Sequence, residues 1–360
     1  MRKSIFLTVL AMLTVAFLFG QKADTEPTPT KPANCEENEN FPAIGVPHEY
    51  EVEISGDGYD GTGTYNWYVT QNAGDLFTET NIVNSTNDYF DVKATDTEFS
   101  SYHKAGTTTK KIGLTWKAEA LLNSNSKYFL VLKYEENNGT CDAMNMKVMK
   151  IEPLNQFKLD IDPVEDEAGT AFGAGVSATV CAADVDGASF DATEDKVTYT
   201  YGENTLYYKV TASGFAGDWK PQISLPALSS TGDQKYVSAQ WAVQGTDTWV
   251  DFNGLSQDAS AQTLSSTTVA TIPTDASGAT PSETYIYKIV IDNERFETLA
   301  NQTLNVATDG TYGGTNNDAL KDQTDDCSGD EGVFADKDDY TIKARPTVKA
   351  TSGGFIQRVQ

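Results

Sequence analysis

Histidine is nearly missing from this chain, with only His48 and His103 among 360 residues. Both lie in polar stretches where surface exposure is the ordinary expectation. A Ser–His–Asp or Cys–His arrangement would have to use one of them. The motifs HExxH, CxxC, GxSxG and the phosphate-binding GxxxxGK[ST] are also absent. Carboxylate pairs are available among 52 acids, but at that density finding pairs carries no information about glycoside chemistry. The expectation is a protein that is not an enzyme.

Positive charge is scarce. Lys and Arg number 26 against 52 Asp and Glu, a formal charge of −26. Loss of Arg2 and Lys3 with the leader would take this to −28. Such a surface repels nucleic acid and anionic lipid. Long apolar runs are confined to the first twenty residues. Arg2 and Lys3 precede Ile5–Phe19, which is apolar apart from two threonines, and small or polar residues follow. That is the layout of a cleaved signal peptide, 1–20, and no Cys ends the run to accept a lipid. Nothing downstream is long and apolar enough to span a bilayer, so no membrane span is expected in the mature chain. Helical periodicity is lacking too. Ala118–Leu122 offers a single turn.

What remains is period-two alternation. After an extended Pro-rich segment (21–44, with QKADTEPTPTKPAN its spacer), HEYEVEIS sets Tyr50, Val52 and Ile54 against Glu49, Glu51 and Glu53. TYNWYVT follows, then Ile112, Leu114 and Trp116, and Tyr128 through Tyr134. Met144, Met146 and Val148 continue the pattern, as do Phe157, Leu159 and Ile161. A second series holds Val197, Tyr199 and Tyr201, then Tyr208 and Val210, Val237 through Val243, and Tyr285 through Ile291. Leu304 with Val306 and Tyr340 with Ile342 complete it. Short aromatic and β-branched runs bounded by Gly, Asn, Asp and Ser predict an all-β chain of antiparallel sheets. The length suits two domains, placed at 45–160 and 170–345, with an acidic linker at 161–169 and a tail at 346–360.

The four cysteines fall two to each half. Cys35 and Cys181 precede the two strand series, and Cys141 and Cys327 precede their final strands. Four cysteines allow three pairings; this layout favours Cys35–Cys141 and Cys181–Cys327.

The strand TYNWYVT, the later strand running into NNGTC, and the repetition of the unit resemble the immunoglobulin-like and PKD-like domains of Bacteroidetes-type bacterial surface and secreted proteins. The PKD-type WDFGDG turn is absent, and Trp67 stands 32 residues after Cys35, unlike antibody spacing. The resemblance implies two tandem Ig-like antiparallel β-sandwich domains that act as spacers, adhesive modules or lattice subunits at the cell surface.

No cofactor is called for by the remaining features. Calcium is the one ion the acids suit, through Asp57 and Asp60 in SGDGYDGTG and Asp184 and Asp186 in DVDG; the plainer reading is solvated turns. The row Tyr65, Trp67 and Tyr68 offers at most one aromatic face to surface glycans. The C-terminal stretch YTIKARPTVKATSGGFIQRVQ is mildly basic and β-prone. Tyr340, Ile342, Val348, Phe355 and Ile356 are therefore candidates for a strand that either completes its own sheet or adds to a neighbouring copy. The two functional expectations are a structural subunit of an extracellular filament, sheath or surface layer, and a monomeric adhesin or carbohydrate-binding module.

Overall fold

A computed structural model describes residues 30–32, 36–56, 58–84, 86–92, 103–122, 127–139, 141–214, 216–274, 280–312, 320–324, 334 and 336–348. The expected leader at 1–20, Cys35, Asp57, Cys327, Phe355 and Ile356 lie outside them. The chain divides into Met1–Lys31 and Pro32–Gln360, and the fold below is that of the second unit. No helix among the described residues is long and apolar enough to cross a membrane.

The N-terminal half contributes β1 (Pro47–Glu51), β2 (Thr64–Thr70), β3 (Phe90–Val92), β4 (His103–Thr107) and β5 (Lys111–Trp116). The one-turn helix α1 (Ala118–Leu122) comes next, then β6 (Tyr128–Asn137) and β7 (Asp142–Ile151). They form two antiparallel sheets, β1-β5-β3 and β4-β2-β6-β7. Trp116 of the first sheet meets Tyr128 of the second at 4.8 Å between ring centroids, and Tyr89 closes on Tyr128 at 5.4 Å. These tilted and edge-on aromatic contacts bind the two sheets into a sandwich.

The C-terminal half begins earlier than the alternation suggests. β8 (Lys158–Val164) is followed by β9 (Thr179–Cys181), β10 (Val185–Asp191), β11 (Lys196–Ser213), β12 (Gly217–Leu225) and β13 (Lys235–Val243). Then come β14 (Val250–Asp251), β15 (Gln262–Ser265), β16 (Ala270–Ile272), β17 (Ser282–Glu294), β18 (Gln302–Tyr312), β19 (Leu320–Lys321) and β20 (Asp336–Lys343). One sheet runs β10-β11-β17-β13-β14, with β8 also on β11; the other runs β15-β12-β18-β20-β9, with β16 on β12 and β19 on β18. All pairs are antiparallel except β20 with β9. Trp219 on β12 packs edge-on to Tyr285 on β17 at 5.4 Å, and Tyr208 on β11 to Tyr340 on β20 at 5.7 Å, joining these sheets in turn.

Three boundaries move. Phe157–Ile161 belongs to the second sandwich, because β8 pairs with β11 from Lys158↔Ser213 to Val164↔Tyr207. The acidic stretch 161–169 is accordingly half strand, and its turn is held by Asp166, whose carboxylate accepts from Thr170 N at 3.0 Å. Alternation reports a strand but not its partner. Finally, the end of the 21–44 segment is packed: Phe41, Ala43 and Ile44 are buried, and Leu154 N donates to Pro42 O at 2.8 Å.

Tyr340 and Ile342, candidates for an exported strand, instead complete the chain's own sheet. β20 lies between β18 and β9, and the two side chains are 2% and 0% exposed. Removing one such core side chain costs roughly 2–5 kcal/mol, and here two go together with a central strand. A chain ending at Asp339 should therefore lose its cooperative urea transition, whereas one ending at Val348 should keep it. Circular dichroism of both truncations checks this.

Candidate interaction surfaces

Two surfaces stand out, one on each sandwich. On the first, β1 and β7 are edge strands on the same side, one from each sheet. Between them the sandwich is open among the described residues. Its floor is Trp67, Leu130, Leu132 and Tyr134; Val52 and Ile54 flank it from the β1 side, and Met149 from β7. Among the described residues no strand pairs with the outer edge of β1, or with β7 from Asp142 to Met149. Beyond that, Asn40 closes the groove, donating from Nδ2 to Lys150 O at 2.8 Å. The rim is acidic, with Glu39, Glu49, Glu51 and Glu53 against Lys147, and Glu49 pairs with Lys111.

The groove explains a misread face. Met144, Met146 and Val148 share an apolar period, yet the register places Lys147 opposite Leu132 and Asn145 opposite Tyr134. Directly opposed residues share a face. The inward positions of β7 are therefore Asn145, Lys147 and Met149. Polar side chains are tolerated there because that face is only half covered, and Met144 is left 47% exposed outside.

Above the groove, the turn carrying Asp60 is organised by Glu136, which is 8% exposed. Its carboxylate accepts from Asp60 N at 3.3 Å, Gly61 N at 3.4 Å and the Tyr134 hydroxyl. Asp60 itself is held below the usual carboxyl range by the Thr62 hydroxyl and backbone N–H. Among the described residues no three His, Cys, Asp or Glu side chains converge as ligands would, and Asp184 and Asp186 are both exposed on β10 and its approach. Cys141 and Cys181 are exposed free thiols, and the other halves of their expected pairs lie outside the described residues. His48 is not a surface residue: its side chain is 13% exposed, 3.3 Å from Glu37, and burial lowers its pKa. Tyr65, Trp67 and Tyr68 are all buried at 3% exposure or less, so the row offers no platform for a sugar ring.

The second surface is the β10–β11 hairpin, which runs beyond the sandwich. Register pairs Val185 with Tyr201, Ala188 with Tyr199 and Phe190 with Val197, so all six share one face. Val197 and Tyr199 belong to the alternating series, yet they are 48% and 50% exposed, with Phe190 at 61%. Asp191 builds the turn, accepting from Thr193 N at 2.7 Å and Glu194 N at 3.2 Å, and these bonds lower its pKa. At the hairpin's base lies a chain of buried amides. Asn293 donates to Asn204 Oδ1 at 3.0 Å and accepts from Gln234 Nε2 at 2.9 Å, and Gln234 exchanges bonds with Gln302 of the opposite sheet. Asn204 donates to Cys181 O at 2.9 Å. The alternation in sequence could not reveal this network, since Asn and Gln read as turn or surface residues.

No protein-family model matches this chain, and no curated protein does. Among solved structures it is similar to the C-terminal domain of the Streptococcus agalactiae AgI/II polypeptide BspA at 8% identity (82% of this chain, 98% of that one, TM-score 0.21). The Bacillus cereus major pilin subunit BcpA gives 6% identity (79% and 65%, TM-score 0.27). The collagen binding domain of the Erysipelothrix rhusiopathiae surface protein RspB gives 9% (86% and 84%, TM-score 0.20). At TM-scores this low the likenesses carry no argument for this chain.

Two predictions test the local chemistry. Glu136→Ala strips an acceptor from a buried turn and should cost about 1–3 kcal/mol in urea denaturation, with Glu136→Gln costing less. The depressed carboxyls of Asp60 and Asp191 bind protons less readily folded than unfolded. Their contribution is present above the ordinary Asp pKa of about 3.9 and lost as pH falls through the lower folded values. Thermal midpoints measured from pH 6 down to 2 should fall below pH ~4, and Asp191→Asn should make that fall shallower.

Proposed function

We propose that this chain is a non-catalytic, extracellular structural protein whose copies assemble by β-strand addition at the open side of the first sandwich. The observation that carries the reading is the groove between β1 and β7. Among the described residues it sets two sheet-edge strands, neither with a second strand partner, side by side above an apolar floor. An incoming strand satisfies main-chain N–H and C=O groups and buries alternate side chains, each worth roughly 1.5–3 kcal/mol when fully covered. The groove spans β7 from Asn145 to Met149, about 17 Å of strand. A strand received by one copy from another makes a heterologous contact, which propagates into open polymers. The secretory leader expected at 1–20 and the acidic composition fit an exported, soluble subunit. Burial of Tyr65, Trp67 and Tyr68 weighs against the carbohydrate-binding alternative.

The test is the mass and shape of residues 21–360 by light scattering and negative-stain microscopy, beside a Val52→Asp/Met149→Asp variant. Both side chains border the groove without belonging to the fully buried core. Polymers from the parent chain and folded monomers from the variant are expected. Compact monomers of the parent chain at every concentration would sink the assembly reading.

A further inference from the structure

The apolar face of the β10–β11 hairpin carries no part of the described fold, and its chemistry points to one occupant. Phe190, Val197 and Tyr199 form a contiguous exposed patch. A strand face this apolar is normally packed against something or kept polar. Its surroundings are acidic: Asp184, Asp186, Asp191, Glu194 and Asp195 stand on or beside the hairpin against a single base, Lys196. That charge opposes pairing of two hairpins from two copies and favours a basic, apolar partner.

The chain has such a segment and delivers it to the base of this face. After β20, Ala344 N donates to Asn301 Oδ1 at 2.9 Å and Arg345 N to Thr298 O at 2.7 Å. The Arg345 guanidinium lies 4.2 Å from the Tyr201 ring centroid and donates to Ala183 O. Tyr201 is the innermost rung of the stripe that continues through Tyr199 to Val197 and Phe190. Arg345 therefore occupies the first position of a basic cover. By Val348 the chain is 86% exposed. Residues 346–360 hold Lys349 and Arg358, no acid, and the apolar Val348, Phe355, Ile356 and Val359. Twelve residues from 349 to 360 reach up to ~40 Å extended, and the hairpin from Tyr201 to Val197 is only about 13 Å long.

We propose that residues 349–360 dock on the Phe190–Val197–Tyr199 face of the same chain, extending the seat that Arg345 takes on Tyr201. Phe355 and Ile356 supply apolar cover, and Lys349 and Arg358 meet the hairpin's carboxylates. This docking is independent of the strand-addition groove on the first sandwich.

Hydrogen exchange on the full mature chain tests it. The amides of Val185–Tyr201 are followed in the parent, in Phe355→Ser/Ile356→Ser, and in Phe190→Ser/Val197→Ser/Tyr199→Ser. Serine at 355 and 356 is expected to speed hairpin exchange by about tenfold or more while the amides of β12, β17 and β18 stay unchanged. Serines on the hairpin should deprotect 349–360 reciprocally. Protection in the parent should not depend on protein concentration, and it should weaken at high salt. Unchanged hairpin exchange in the Phe355→Ser/Ile356→Ser chain overturns the proposal. So does protection that rises with concentration, which would assign the face to a second copy. The Val52→Asp/Met149→Asp variant should leave hairpin protection intact whether or not the parent polymerises, so failure of one reading is separable from failure of the other.

Discussion

Pairing along β11 is the interaction on which the C-terminal half depends. One side of this 18-residue strand is laid against β17 from Tyr201↔Glu294 to Ser213↔Ser282. The other side is shared in succession by β10 and β8. Three consequences follow from one strand being longer than its sandwich. Its inner part, Leu206, Tyr208, Val210 and Ala212, is wholly buried and forms the core. Its N-terminal part outruns the second sheet, so the same period-two pattern emerges into solvent as the hairpin face. And because β8 takes the remaining edge, the segment entering from the first sandwich is tied directly into the second sheet.

That entry leaves little freedom between the halves. Phe157 packs on Trp219 at 5.7 Å and Tyr312 at 6.0 Å, and Gln323 N donates to its carbonyl at 2.7 Å. Asn155 Nδ2 donates to Lys321 O at 2.7 Å from the residues just before. Gly214, with φ at +119°, passes so close to the Gln156 carbonyl that any Cβ would collide with it. A short connection pinned by rings and main-chain bonds differs physically from the solvated acidic spacer that the run of carboxylates suggests. Force applied along the chain would meet sheet hydrogen bonds at this point before it met any slack.

The strands themselves were legible because aromatic and β-branched residues at period two have few other solutions. HEYEVEIS, TYNWYVT and Tyr128–Tyr134 all become strands near where the alternation puts them, and Ala118–Leu122 is the single helical turn expected. Partnership and facing were not legible. Phe157, Leu159 and Ile161 alternate equally well as the last strand of one sandwich or the first of the next. Met144, Met146 and Val148 look like an inward stripe until register turns them outward. Val197 and Tyr199 look like core because sequence cannot say where the opposing sheet stops. Each miss concerns a long-range relation, and local periodicity holds no information about those. The same blindness hid both candidate surfaces, since an edge strand is defined by what does not lie beside it.

The amide chain of Asn204, Asn293, Gln234 and Gln302 has a further meaning. Every member is neutral at all accessible pH values. Amides demand donors and acceptors in fixed positions, and a slip of β11 by one residue against β17 would strand several of them without partners. The chain thus carries a geometric password for strand alignment that acid, alkali and salt leave unaltered. Correct register at the root of the hairpin is then decided by shape and hydrogen-bond polarity alone, even where the surrounding charges are titrated away.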